Sequence, residues 1–162
     1  MFKVSRATLV AVSGLVWLVV GSILLPMGVN FVVEALLKEN VSLPHPVLHF
    51  LAPYVGGKEQ AALMWMGLAI LVGFFKGRRL FSKTVQRSVD RILTLPDPVS
   101  LRQIYTPGYY LLLGAMMGMG IAVRFLPQDI RGGVDIAIGC ALINGAVLYF
   151  RHAWSLRRRA SI

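Results

Sequence analysis

Charged residues are scarce in this sequence. Lysine, arginine, aspartate and glutamate make up 15% of its 162 residues, whereas soluble domains contain about 25%. A soluble chain of this length needs more charge to cover its surface, but a chain surrounded by lipid does not. Together with a hydrophobic content of 56%, this scarcity predicts an integral membrane protein with a single domain over residues 1–162.

Cysteine and catalytic motifs are also scarce. Cys140 is the one cysteine, so an intrachain disulfide and a CxxC metal or redox motif are both excluded. The sequence contains no G-x-S-x-G, H-E-x-x-H or P-loop motif. We therefore predict no catalytic residue and no cofactor, and we favour a protein that is not an enzyme.

Acidic residues are fewer than basic residues, 7 against 17, which gives a net charge of +10. In a soluble protein this excess would suggest nucleic-acid binding. Here the basic residues lie outside the apolar runs, where anionic lipid headgroups attract them. The expected partners are therefore the lipid bilayer and its anionic lipids, and nucleic acid is not expected.

Four apolar runs predict four transmembrane helices, and hence an all-α four-helix membrane bundle. The predicted spans are residues 7–37, 61–75, 107–126 and 133–150. The first is longer than the ~30 Å hydrocarbon core requires. Pro26 disrupts helical hydrogen bonding and Gly28 follows it, so a bend is predicted near residues 26–28.

The two long loops are each predicted to contain a helix. In the outer loop, residues 38–60, prolines flank an apolar stretch, which indicates a short helix on or in the outer leaflet. In the cytoplasmic loop, residues 76–106, a cation recurs every four residues opposite an apolar stripe, which indicates a basic amphipathic helix in the membrane interface. The residues predicted to contact anionic lipid, or to dock a cytoplasmic partner, are Arg79, Lys83, Arg87 and Arg91.

The basic residues also predict the orientation. Of the 17 lysines and arginines, all but Lys38, Lys58, Arg124 and Arg131 fall at the N-terminus, in the loop 76–106 or after the fourth span. The positive-inside rule places these three regions in the cytoplasm. We therefore expect a multi-pass protein of the cell (inner) membrane with both termini cytoplasmic.

Small residues recur at spacings that put them on one face of a helix. The set is Gly14, Gly21, Gly28, Gly114, Gly118, Ala141 and Gly145. Such faces allow two helix backbones to approach closely and gain dispersion contacts. We interpret them as packing faces within the bundle, and the alternative is an interface in a homo-oligomer or a larger membrane complex.

Five polar residues lie in or near the predicted spans. They are Asn30, Glu34, Arg124, Asp135 and Asn144. The three charged residues fall toward the outer side, where charges are costly and normally pair or face a cavity. Three interpretations stay open: Arg124 pairs with Glu34 or Asp135, it reaches the interface, or these groups form a substrate or ion site. The two asparagines are expected to hydrogen-bond across helices.

The outer loop also contains His45 and His49, at the i, i+4 spacing of a metal-binding helix face. Without a third fixed ligand the pair is a weak metal signal. For function we expect a non-enzymatic transporter, channel or subunit of a membrane complex. One alternative is a membrane-embedded enzyme that acts on lipid or an isoprenoid carrier through these histidines and Glu34. The other is a structural adaptor that recruits a cytoplasmic partner through the basic helix.

Overall fold

The computed structural model describes residues 6–37, 45–94, 114, 118 and 120–160, and these residues are 94% helical with no strand. The four main helices are α1 (Arg6–Leu37), α2 (Pro46–Val55), α3 (Lys58–Thr94) and α4 (Gln128–Ala160). The chain is thus an all-helical protein, and three of its helices (α1, α3 and α4) are long and apolar enough to cross a membrane.

Helix α4 lies at the centre of the bundle, and it has the largest buried share of the three long helices. Gly28 of α1 packs beside Gly132, and Gly14 packs beside Tyr149, so α1 and α4 are antiparallel. Trp65 and Gly77 of α3 contact Asp129 and Ala141 of α4 in the same chain order, so α3 and α4 are parallel.

Two clusters of buried apolar residues mark the two ends of the bundle. At one end, α2 joins the C-terminal part of α1 and the starts of α3 and α4, around Val32, Leu48 and Ile136. We call this the α2 end. At the other, which we call the basic end, the start of α1 meets the last turns of α3 and α4 around Val10 and Val89. The start of α1 and the end of α4 therefore lie together.

Local sequence explains why α2 is short and turns directly into α3. Pro46 occupies the first turn of α2, where its missing N–H costs no helical hydrogen bond. Gly56 ends the helix with φ of 89°, a left-handed conformation that glycine adopts without a steric penalty. The amide of Gly57 then donates to the carbonyl oxygen of Ala52 at 3.1 Å, and α3 begins at the next residue.

Helix α3 differs from the sequence prediction at its C-terminal side. The amphipathic segment is not a separate interfacial helix, because one continuous helix of 37 residues includes both the apolar run and the basic segment. Val85 and Val89, which belong to the apolar stripe of this segment, are buried against α1 and α4 at the basic end. The candidate span within α3 is Lys58–Arg79 rather than residues 61–75.

The other predicted spans can be compared only in part. Helix α4 begins at Gln128, five residues before the predicted start at residue 133, and continues to Ala160. Helix α1 is assigned as one helix through Pro26, and the bend near residues 26–28 stays a prediction. The predicted third span, residues 107–126, lies mostly outside the described residues, of which 114, 118 and 120–123 are helical.

Candidate functional site

Asp129 joins three helices at the α2 end, and its side chain is fully buried. One carboxylate oxygen accepts hydrogen bonds from the amides of Val47, at 2.7 Å, and Leu48, at 3.3 Å. These amides belong to the first turn of α2, whose N–H groups have no partner within the helix. Asp129 therefore caps α2 from a position 81 residues further along the chain than Leu48.

Two further hydrogen bonds connect Asp129 to its surroundings. Its other carboxylate oxygen accepts from the amide of Ile130 at 2.8 Å. Its backbone carbonyl accepts from the indole nitrogen of Trp65, on α3, also at 2.8 Å. A buried carboxylate that accepts several N–H bonds is well satisfied, so this arrangement fixes α2 and α3 on α4.

The remaining polar groups near Asp129 also interact within the chain. The side-chain amide of Gln128 donates to the Glu34 carboxylate at 3.4 Å. The Arg131 guanidinium lies over the Phe31 ring, 4.0 Å from its centroid, which is a cation–π geometry. Asp135 is buried one turn after Arg131 and interacts electrostatically with it. These contacts use the polar groups to hold α1 against α4.

The five polar residues predicted to form a site do not come together. Arg124 is exposed in the turn before α4, and the cation beside Asp135 is Arg131 instead. Asn30 is exposed on α1. Asn144 donates to the carbonyl oxygen of Phe74 at 3.2 Å, which is a bond between α4 and α3. Glu34 and Asp135 are the two that lie at the α2 end among buried neighbours.

The histidine pair does not collect further ligands. His45 precedes α2, its side chain caps no helical amide, and its Nδ1 atom is buried without a hydrogen-bond partner. His49 is exposed one turn later. Within the described ranges no group of three histidine, cysteine, aspartate or glutamate side chains is placed to hold a metal ion. The pair therefore offers two ligands at most in this part of the chain.

The glycines of α1 make its contact with α4. A Cβ atom added at Gly28 would lie 2.7 Å from the carbonyl oxygen of Gly132, and one at Gly21 would lie 2.9 Å from that of Gly139. At Gly14 it would lie 2.9 Å from the Cβ of Tyr149. Only glycine allows backbones this close, so small residues every seven positions line both sides of one contact.

The other predicted packing residues divide into two groups. Ala141 packs against Gly77 of α3, and Gly145 is buried. Gly114 and Gly118 are exposed, and an added Cβ atom at either would meet no neighbour within 4 Å in the described structure. The described helices therefore use the glycines of α1, α3 and α4 and leave those two uncovered.

The residues predicted to contact anionic lipid lie on α3 at the basic end. Arg79, Lys83 and Arg87 are exposed, and the side chain of Arg91 lies outside the described residues. Lys76, which precedes Gly77 and belongs to the same face, is exposed as well. These cations lie on the exposed side of α3, and none of them belongs to the buried cluster of the basic end.

Sequence reasoning missed Asp129 and Trp65. Asp129 directly follows Pro127 and Gln128 at the start of an apolar run, which is a recognisable helix N-terminus signal. That signal predicts a carboxylate that caps its own helix. The observed partners, Val47 and Leu48, are more than 80 positions away, and only the packing of α2 on α4 brings them together.

No match to this chain was found among protein-family models, curated proteins or solved structures. Its function is therefore inferred from its own residues and contacts.

Proposed function

We propose that the chain crosses the membrane four times with both termini in the cytoplasm. The positions of the two ends that the connection between α3 and α4 must join support this topology. Helix α3 ends at Thr94 at the basic end, whereas α4 begins at Gln128 beside Trp65 at the α2 end. The connection must cover the helix length from Trp65 to Thr94, roughly 44 Å at 1.5 Å per residue, which exceeds the ~30 Å hydrocarbon core. If the three long helices cross, the chain crosses once more between them.

The orientation has a second support. The first turns of α1 and the last turns of α4 share the buried cluster of the basic end, so both termini lie on one side of the bundle. The exposed cations of α3 and α4 lie at that same end, and the positive-inside rule assigns it to the cytoplasm. The α2 end then faces outward.

For function, we propose a non-enzymatic subunit of a membrane complex. The observation that carries this is the contact of α1 with α4, where backbone meets backbone at Gly21 and Gly28. Such a contact leaves no room for water or solute between the two helices. The polar groups at the α2 end bind one another across helices, which favours a structural role for them over transport.

The alternatives have less support. A conduit lined by Asn30, Glu34, Arg124 and Asp135 is not favoured, because Asn30 and Arg124 lie apart on exposed positions. An enzyme that uses His45, His49 and Glu34 is not favoured either, because Glu34 interacts with Gln128 and no third ligand joins the histidines in the described residues. An adaptor role for the basic segment of α3 stays open as the second candidate.

The test of the subunit proposal compares assembly with flux. The full-length chain is extracted from its own membrane in a mild detergent and weighed by native mass spectrometry. We expect a stoichiometric assembly larger than the 17.8 kDa chain. The chain reconstituted in liposomes should conduct no ion or small solute above empty liposomes. A monomer that supports flux, and loses that flux on Arg124→Ala, would contradict the proposal and favour a transporter.

The four-span topology has its own test. Single cysteines introduced at Thr94, Gln128 and Lys58 in a Cys140→Ala background are labelled in intact cells or sealed vesicles by a membrane-impermeant thiol reagent. We expect Lys58→Cys and Gln128→Cys to label from outside and Thr94→Cys only after permeabilisation. Labelling of both Thr94→Cys and Gln128→Cys from one side would rule out a crossing between them.

A further inference from the structure

Helix α3 presents an exposed row of cations in its second half. The row consists of Lys76, Arg79, Lys83 and Arg87, all of them exposed, and we call it the α3 basic stripe. Helix positions three or four apart share a face, so these four residues form one continuous stripe. From Lys76 to Arg87 it is about 16 Å long.

Contacts with α1 and α4 fix the level of this stripe in the bundle. Gly77, next to Lys76, packs on Ala141, within one helical turn of the level at which Gly21 contacts α4. Further along, Val85 shares a buried cluster with Val10. Because α1 and α3 are antiparallel, the stripe lies beside the first half of α1, from about residue 21 to about residue 9.

The neighbouring helices are apolar at this level. Helix α1 exposes side chains with exposed fractions between 50% and 53%, namely Val12, Leu15, Val16 and Val19. Apart from Asn144, which is bonded to α3, helix α4 is apolar from Ile136 to Phe150. Arg151, exposed Trp154 and Arg158 follow, and the Arg158 guanidinium lies 5.8 Å from the Trp154 ring centroid. Tryptophan and arginine together are typical of the interface between membrane and water.

The residues of α3 therefore indicate a membrane surface at a different height along the bundle from the surface indicated by α1 and α4. Trp154 follows Ala153, which shares a buried cluster with Val89 of α3. Measured along α3, Lys83 lies about 9 Å deeper than Val89, and Lys76 lies deeper still. On the side of α1 and α4 this depth is hydrocarbon, and a cation there is costly unless an anion or water reaches it.

The described residues supply few anions to the stripe. It has 7 acidic residues, and among the described residues only Asp90 lies near the basic end, at the far side of Arg87 from Lys76. Glu34, Asp129 and Asp135 are at the α2 end, where they have partners. Within the described residues, Asp90 is thus the one anion near the four cations, and the exposed stripe can accept an anion from outside the chain.

We propose that the phosphate groups of inner-leaflet phospholipids bind along the α3 basic stripe as deep as Lys83, and that the long side chains of Arg79 and Lys76 reach toward them. The inner leaflet is then about half a leaflet thinner beside α3 than beside α1, since each hydrocarbon leaflet is about 15 Å thick and polar residues at depth draw headgroups and water inward. Lipid is favoured over an acidic protein because the stripe lies beside lipid-facing α1 residues. This proposal depends on the membrane placement proposed above.

The first test measures depth on both sides of the bundle at one level. Val10 and Val85 belong to one buried cluster, and Val12 and Lys83 each lie two residues from them toward the α2 end, so the two positions are at about the same level. Each position is replaced by a single cysteine in the Cys140→Ala background. The cysteine is labelled with a nitroxide, and the protein is reconstituted in vesicles of phosphatidylcholine and phosphatidylglycerol. We expect a water-soluble nickel complex to reach Lys83→Cys and oxygen, which partitions into lipid, to dominate at Val12→Cys.

Two other outcomes of this measurement would contradict the proposal. If the nickel complex reaches both positions, α1 projects from the membrane here and the thinning proposal is wrong. If oxygen dominates at both positions, no headgroup or water reaches the stripe, and the proposal is also wrong. Ile70→Cys, on the exposed apolar part of α3, is the control: if the nickel complex reaches it, the membrane placement itself fails.

The second test measures lipid binding directly. Native mass spectrometry counts the phosphatidylglycerol molecules retained by the full chain from detergent micelles doped with that lipid. Lys76→Gln, Arg79→Gln and Lys83→Gln together should lower retention at least tenfold, since each basic residue near the surface strengthens anionic-lipid binding severalfold. The matched control removes three exposed cations of α4 by Arg151→Gln, Arg157→Gln and Arg158→Gln. If both triple variants lose the same amount of bound phosphatidylglycerol, the attraction is unspecific and the proposal is wrong. It is also wrong if the α3 variant loses none. If wild type instead binds an acidic cytoplasmic protein more tightly than it binds the lipid, the stripe is a protein-docking site and the adaptor role is favoured.

Discussion

At the α2 end of the bundle, the acidic side chains of Glu34, Asp129 and Asp135 interact with other residues of the chain, whereas at the basic end the cations of α3 are exposed. Asp129 is fully buried and accepts hydrogen bonds from two amides of α2, while its carbonyl accepts from Trp65. Lys83 and Arg87 are exposed beside a cluster that is entirely apolar apart from the Tyr149 hydroxyl.

This difference separates two roles that charged residues have in a membrane protein. A buried carboxylate with several donors holds elements together, and its removal leaves buried N–H groups unpaired. An exposed cation at depth contributes little to the fold and needs lipid, water or a partner. Substitutions at the α2 end should therefore change stability, and substitutions on the stripe should change interactions with the surroundings.

The largest effect on stability is expected for Asp129→Ala. It removes the acceptor of the Val47 and Leu48 amides and leaves them unpaired beneath α2, a loss of about 3 kcal/mol for two buried donors. The measurement is unfolding in mixed micelles followed by circular dichroism. Protease cleavage near α2 should also accelerate, because α2 loses its cap.

The control for this prediction is Asp129→Asn, which keeps one side-chain oxygen as an acceptor and should recover part of the loss. If Asp129→Ala unfolds like wild type, the contrast between the two ends fails. Lys83→Gln supplies the opposite comparison, since we expect unchanged unfolding there.

A smaller loss is expected for Gly28→Ala. The added methyl group would lie 2.7 Å from the Gly132 carbonyl oxygen and from the Ile136 amide nitrogen. Backbone atoms cannot move aside as a side chain can, so α1 and α4 must separate, at a cost of about 1–3 kcal/mol.

Gly67→Ala is the matched control, because an added Cβ atom there meets nothing within 4 Å. In the same unfolding assay we expect this variant to be neutral or slightly more stable, since alanine favours helix over glycine. Equal behaviour of the two variants would mean that the α1–α4 contact is looser than described.

The smallest effect is expected for Asn144→Ala. Its side chain donates one hydrogen bond to the Phe74 carbonyl oxygen, and such bonds between membrane helices contribute about 0.6 kcal/mol on average. Because that carbonyl keeps its own helical hydrogen bond, no buried group is left unpaired. If Asn144→Ala lowers the free energy of unfolding as much as Asp129→Ala does, the prediction is wrong, and this hydrogen bond between α3 and α4 is as important to the fold as the contacts of Asp129.

Much of the helical architecture could be predicted from composition and periodicity. Apolar runs of span length indicate α1 and α4 because bilayer thickness sets the required length. The seven-residue spacing of Gly14, Gly21 and Gly28 indicates a packing face, since that spacing returns to one side of a helix. What such a face packs against cannot be read from one helix alone.

One prediction about the helices was wrong for a physical reason. The segment after Arg79 was predicted to be a separate interfacial helix because its apolar stripe fits lipid as well as protein. The structure buries Val85 and Val89 against α1 and α4, and periodicity does not distinguish those two environments. For Arg124 the sequence left pairing with Glu34 or Asp135 open beside two other interpretations, and the structure places Arg131 beside Asp135, one turn before it on the same helix.

The sequence by itself determined that the protein is helical, rich in lipid-compatible surface and basic at one end, because these properties follow from local composition and the excess of lysine and arginine. Only the tertiary structure decided which residues meet. It placed Asp129 under α2, and it set Lys76 of α3 beside the apolar half of α1. Both depend on the register between helices, which is determined by where small residues let backbones approach and is not encoded in any single segment.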